Sequence, residues 1–208
     1  PDGLDRERSK GLFLNMHEYF EHQLILNKKD VSLCKDAKDI KKAVSEGKSV
    51  ALYSIENGSA LGGDIKTLDF CAKIGVKCIG ITWNGENDLG YGRRCEGKLK
   101  PFGVEAVKRM EELGIIPDVS HLNDEGTWQV IELVNGPVVA THSNSRAVLD
   151  NKRNITDEQF KAIAARGGIV GINLYPPFLS GHIFARFDDI LRHIYHFLEL
   201  REENTLAF

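Results

Sequence analysis

Long apolar runs, paired cysteines and an excess of either charge are all missing from this chain of 208 residues. No stretch approaches the roughly 20 apolar residues that a helix needs to cross a bilayer. The opening Pro1-Asp2-Gly3-Leu4-Asp5-Arg6 also lacks the apolar core of a signal peptide. Cys34, Cys71, Cys78 and Cys95 show no C-x-x-C spacing, which in a chain of this size reads as isolated thiols in a reducing, cytoplasmic setting. The 27 basic and 30 acidic residues are interspersed and leave a net charge of −3, so no basic face exists for nucleic acid or an anionic membrane. Neither is expected as a partner. No low-complexity or Pro/Gly/Ser-rich linker divides the chain, and no Gly-rich phosphate loop precedes its last helices. With 42% hydrophobic residues, residues 1–208 are expected to form one domain around a sizeable core.

What is present is an alternation of strand-like and helical segments. β-branched runs at 49–56, 76–83, 115–121, 137–143 and 168–175, with the start of another at 205–208, are separated by amphipathic segments. These segments are predicted as helices at 64–74, from Pro101 to Gly114, at 124–134, after the capping pair Thr156 and Gln159, and at 187–201. Two more helices are expected earlier, one within 1–30 and one at 36–46. His17 and His22 fall on the polar side of the first and are expected at the surface. The last helix is expected to bury Phe187, Ile190, Leu191, Ile194 and Leu198, leaving His193 and His196 outside. Such alternation argues for an α/β fold with parallel strands, and polar strand ends argue for a (β/α)8 TIM barrel. Six runs against the eight of a closed barrel suggest that it is incomplete at both ends of this sequence.

Three of these runs end on metal-binding side chains, Glu56, His121 and His142. Carboxylate and imidazole donors on successive strand ends are a ligand set typical of catalytic zinc. Each residue also has a plain reading: a hydrogen-bonded histidine, or a glutamate that caps a helix or pairs with an arginine. Ser143, beside His142, is not read as a nucleophile, because neighbouring strand residues point to opposite faces. The loop 84–97 is either a mobile rim or a plain surface loop.

The ordered runs Ser-Ile-Glu-Asn-Gly (54–58), Leu-Lys-Pro-Phe-Gly (99–103), Asp-Val-Ser-His-Leu (118–122), Thr-His-Ser-Asn-Ser (141–145), Lys-Arg-Asn-Ile-Thr-Asp (152–157) and Gly-Ile-Asn-Leu-Tyr (171–175) resemble the membrane (renal) dipeptidase family of zinc peptidases, in its compact bacterial form. The resemblance implies a (β/α)8 barrel holding two zinc ions and cleaving the peptide bond of dipeptides with a metal-bound hydroxide. By the same resemblance, Glu56 bridges the metals, His121 and His142 ligate one of them, Arg153 binds the substrate's free carboxylate and Tyr175 contacts the substrate. A homodimer is compatible with it. A catalytically silent barrel that binds one metal or a partner at the same rim is the alternative.

Four departures stand beside the resemblance. The family's His-x-Asp motif occurs nowhere in the sequence, and the segment bearing the general-base Asp would begin past Phe208. The 208 residues taken alone are therefore expected to be inactive. Trp83 stands where animal members carry a histidine, and Asn57 stands where glycine usually follows the bridging glutamate.

Overall fold

The computed structural model describes residues 3–200 and 203–207. Helix α1 (Arg6–Leu26) opens at Asp5, whose carboxylate accepts from the Arg8 N–H. Strand β1 (Val31–Leu33), helix α2 (Ala37–Ser45), strand β2 (Ser49–Ala51) and strand β3 (Tyr53–Ile55) follow. Then come α3 (Lys66–Ile74), β4 (Val76–Gly80), α4 (Pro101–Leu113), β5 (Ile116–Asp118) and α5 (Asp124–Leu133). The chain continues through α6 (Asp157–Ala165), β6 (Val170–Gly171), the short α7 (Pro176–Leu179), α8 (Phe187–Glu199) and β7 (Leu206–Ala207).

Local chemistry sets the helix ends. Pro101 occupies the first turn of α4, where a missing N–H costs nothing, and Gly114 closes it in the left-handed conformation. Thr156 and Gln159 form the expected capping box of α6, each side chain accepting from the other's backbone N–H. Asn123 caps α5 through the Gly126 N–H.

Among the described residues, the named strands pair in parallel: β1 with β2, β3 with β4, β4 with β5, and β6 with β7. Single parallel bridges, Asp118 to Val139 and Ala140 to Val170, carry the order from β5 to β6. The expected strand at 137–143 is thus reduced to bridging contacts, and Val31–Leu33 adds a strand that the six runs omitted. The result is an α/β succession of parallel strands with helices packed against them.

Ile79, Ala140 and Val170 are fully buried in one hydrophobic core with Leu68, Met110, Phe160 and Phe197. Their neighbours Ser54, Glu56, Cys78, Asp118, Thr141 and His142 line a cavity of about 400 Å³. Close approach of the strands beside it depends on two glycines. A Cβ on Gly80 would lie 2.2 Å from the Glu56 carbonyl oxygen, and one on Gly171 would lie 2.0 Å from that of Thr141.

Several expectations change here. His17 is buried, with its ring stacked near Phe13 and Tyr53 and edge-on to Phe70, because α1 turns this side chain toward β3. His22 is exposed as expected. Helix α8 keeps Ile190 and Ile194 against the core as read, but Phe187 and Leu198 are exposed, whereas His193 and Phe197 are buried. The His193 imidazole accepts from the Ser145 N–H at Nδ1 and faces the Leu179 carbonyl at Nε2, so a polar ring satisfies backbone groups inside the fold. The loop after β4 is tied down by Asn87. That amide donates to Asn57 Oδ1 and the Ile81 carbonyl and accepts from the N–H groups of Leu89 and Gly90.

Candidate metal centre

Glu56, His121 and His142 lie just past the ends of β3 and β5 and beyond the bridge at Ala140, and the structure brings all three together. The two Nε2 atoms are 3.0 Å apart, and Glu56 Oε1 lies 3.3 Å from that of His121 and 3.7 Å from that of His142. Tetrahedral zinc with bonds of 2.0–2.1 Å separates its donors by roughly 3.3–3.4 Å, which these distances bracket. His121 is buried, His142 is half-buried and Glu56 faces solvent, so the cluster is open on one side.

The far nitrogens decide what the near ones offer. Thr141 Oγ1 donates its single proton to Asp118 Oδ2, so at 2.8 Å from His142 Nδ1 it acts as acceptor and the ring proton sits on Nδ1. Asp118 is itself held by the N–H and hydroxyl of Ser120 and by the Thr141 N–H. His121 Nδ1 lies 3.2 Å from Asn84 Oδ1, which as a carbonyl oxygen accepts a hydrogen bond from the ring N–H. Both Nε2 atoms therefore present lone pairs to the same point, the tautomer that a metal requires.

Protons do not compete for that point at neutral pH. Burial, then the charge of Arg153, then His142 and Arg93, push His121 down to about 2. Burial and Arg153 also lower His142, against the upward pull of Asp118 and Glu56. Two neutral imidazoles and a carboxylate facing one another repel unless a cation lies between them. The donor set thus fits a divalent metal ion.

Arg153 is buried beside the cluster, its Nη1 donating to Ser143 Oγ at 3.2 Å and its guanidinium over the Phe178 ring. Ser143 is occupied as that acceptor. Tyr175 is half-exposed and meets Phe178 edge-on, with ring centroids 4.9 Å apart. The Trp83 ring lies 6.0 Å from that of His121, at the rim. Asn57 turns its amide oxygen to the Ser59 N–H and to Asn87.

His182 is exposed, and His196 pairs with Asp157 at 2.8 Å away from the cluster. Asn84, Asp118, Thr141 and Arg93 were not singled out from the sequence. Asp118 and Thr141 stand in the runs 118–122 and 141–145 that carry the resemblance but receive no role there, and Arg93 gives no signal.

Residues 2–201 match the sequence profile of membrane dipeptidase, peptidase family M19. The chain belongs to the membrane dipeptidase family. Among similar proteins, an uncharacterized protein in the PQQ-III 3' region of Acinetobacter calcoaceticus is 30% identical over 190 residues, covering 86% of this chain and 60% of its own length. An amidohydrolase from Pseudomonas aeruginosa superposes with a TM-score of 0.87 at 29% identity, covering 93% of this chain and 60% of the other. A metallopeptidase from Rhodobacter sphaeroides, solved with a phosphinate mimic of the dipeptide L-Ala-D-Ala, gives a TM-score of 0.92 at 26% identity over 98% of this chain and 61% of the other. The chain spans about 60% of the length of these relatives. Among the described residues, no helix is long and apolar enough to cross a membrane.

Proposed function

We propose that the protein is a zinc-dependent dipeptidase in which Glu56, His121 and His142 hold a metal ion and Arg153 receives the free carboxylate of the substrate. The observation that carries this reading is the convergence of three donor atoms within 4.8 Å of one another, with both imidazoles in the ligating tautomer. A bound divalent ion of this kind polarises a carbonyl and supplies an activated water near neutral pH. Two zinc ions in an eight-stranded barrel formed as one domain, and a cytoplasmic setting for its four free cysteines, belong to the same proposal.

The chain's own residues do the remaining work of binding and orientation. Asp118 and Thr141 hold one imidazole and Asn84 the other, so the donors need no reorganisation when metal and substrate arrive. Arg153 keeps Nε and Nη2 without partners in a buried position. A planar fork with free donors suits the two oxygens of a carboxylate. Phe178 lies against both Arg153 and Tyr175, which supports Tyr175 as a wall of the same subsite. The general-base aspartate expected by resemblance past Phe208 lies outside the described residues.

The test is zinc content and dipeptide hydrolysis by the full-length protein. Metal bound at this site and cleavage of L-Ala-L-Ala or L-Ala-D-Ala are expected. A preparation that binds no divalent metal and cleaves no dipeptide sinks the reading.

A further inference from the structure

The loop between β4 and α4 contributes a charge that the proposed reaction does not use. Arg93 is only 8% exposed, its backbone N–H donates to the His121 carbonyl at 3.1 Å, and its Nη2 lies 3.5 Å from the Ser120 carbonyl. Its Nε and Nη1 are buried without a partner, as are Nε and Nη2 of Arg153, itself 3% exposed. Arg93 and Arg153 thus hold four unmatched nitrogens, and the charge of each acts on both His121 and His142.

Among the described residues, no carboxylate lies within salt-bridge distance of Arg93. Asp124 is the carboxylate that attracts it, while Arg153 and Arg146 repel it. Asp124 is already committed, with both oxygens on Arg146 at 2.7 and 2.8 Å and one also on Gln159 at 3.0 Å. Arg93 lines a cavity of about 180 Å³ with Asn123 and Lys152. Glu96, Asp124 and Glu125 line it too, but all three are exposed and screened by water, whereas Arg93 is desolvated. A buried guanidinium left unpaired is destabilising. Holding two side by side is tolerable when the ligand brings two negative groups.

We propose that Arg93 is a specificity-determining residue that takes the side-chain carboxylate of the substrate's C-terminal residue, so that dipeptides ending in aspartate or glutamate are preferred. The inference rests on the dipeptidase reading, with Arg153 on the α-carboxylate of the same residue. Uncharged side chains leave the Arg93 donors unmatched in the bound state, and a site's unpaired buried polar groups discriminate strongly against such ligands.

The experiment compares kcat/KM of the full-length, zinc-loaded protein on Ala-Asp and Ala-Asn, with the C-terminal residue in each configuration, and on Asp-Ala and Asn-Ala. Ala-Asp is expected to exceed Ala-Asn by about tenfold or more, as for a charge-assisted hydrogen bond, with no such ratio for Asp-Ala over Asn-Ala. Arg93→Gln is expected to bring the Ala-Asp to Ala-Asn ratio close to one. Should that variant not fold, Arg93→Lys, which keeps the charge but loses the fork, should lower the ratio severalfold. A wild-type ratio near one, an acid preference at the first residue instead, or a ratio unchanged in a folded Arg93 variant overturns the proposal. Brisk cleavage of Ala-Asn without acid preference removes only the role of Arg93. Failure to cleave any dipeptide removes the dipeptidase reading and this inference with it.

Discussion

His121 and His142 point their Nε2 atoms at each other across 3.0 Å, each with its proton held on the opposite side of the ring by Asn84 or Thr141. Two neutral imidazoles presenting lone pairs to one point repel, and a divalent cation between them would relieve that repulsion. Replacing either histidine by alanine should cost more than the roughly 10–100-fold in metal affinity lost when an outer hydrogen-bonding partner is removed. Competition with a chromogenic chelator measures it, and undiminished zinc binding by both variants would contradict the assignment.

Thr141 links the Asp118 carboxylate to the His142 ring. Thr141→Val keeps the shape but removes the acceptor that holds the proton on Nδ1. Zinc affinity is expected to fall roughly 10–100-fold with the fold intact by circular dichroism, and Thr141→Ser should restore most of it. Equal affinities in all three proteins would show that the hydroxyl orients nothing.

Arg153→Lys keeps a charge but loses the planar fork. Hydrogen bonds to charged groups contribute about 1.5–3 kcal/mol, so kcat/KM on dipeptides with a free carboxylate should drop roughly 10–100-fold. Amidated dipeptides should be poor substrates for the wild type and respond little to the change. Comparable wild-type rates on free and amidated substrates would remove Arg153 from its role.

His193 links stability to pH away from the metal centre. Burial lowers its pKa, assisted by Arg192 and His196, while its bond to the Leu179 carbonyl and the charge of Asp189 pull the other way. The unfolded chain takes up a proton at this ring below about pH 6.5, and the folded chain does so only at lower pH. Folding should therefore be most stable above that value and weaken as pH falls below it. Urea midpoints of metal-free protein at pH 7.5 and 5.5 should differ less in His193→Gln than in the wild type. An identical pH response in the two proteins counts against a neutral buried ring.

Phe160 and Phe197 stack with centroids 4.3 Å apart and planes 10° from parallel, joining α6 to α8 inside the core. Phe160→Ala should cost roughly 3–5 kcal/mol of unfolding free energy, read from chemical denaturation. A loss below about 1 kcal/mol, the level of conservative core swaps, would mean that the two helices are not packed as described.

Local chemistry made much of this protein readable from its letters. Caps such as Thr156 with Gln159, the proline and glycine that bound α4, and polar residues closing apolar runs at Glu56, His121 and His142 depend on neighbours a few positions away. Their signals survive in one dimension. Short, weakly alternating segments did not carry enough of one: β1 at Val31–Leu33 went unread, and 137–143 read as a longer strand than its single bridges make.

Tertiary structure decided which polar groups could lie inside. His17 looked like a surface residue until α1 set it against Tyr53 and Phe70, and His193 until the Ser145 N–H and the Leu179 carbonyl supplied partners from 48 and 14 positions away. The tautomers of His121 and His142 hang on Asn84 and Thr141, and the isolation of Arg93 on Asp124 being spent on Arg146. Periodicity counts only the apolar side chains of one segment, whereas the cost of burying a polar group is set by distant residues that complete its hydrogen bonds.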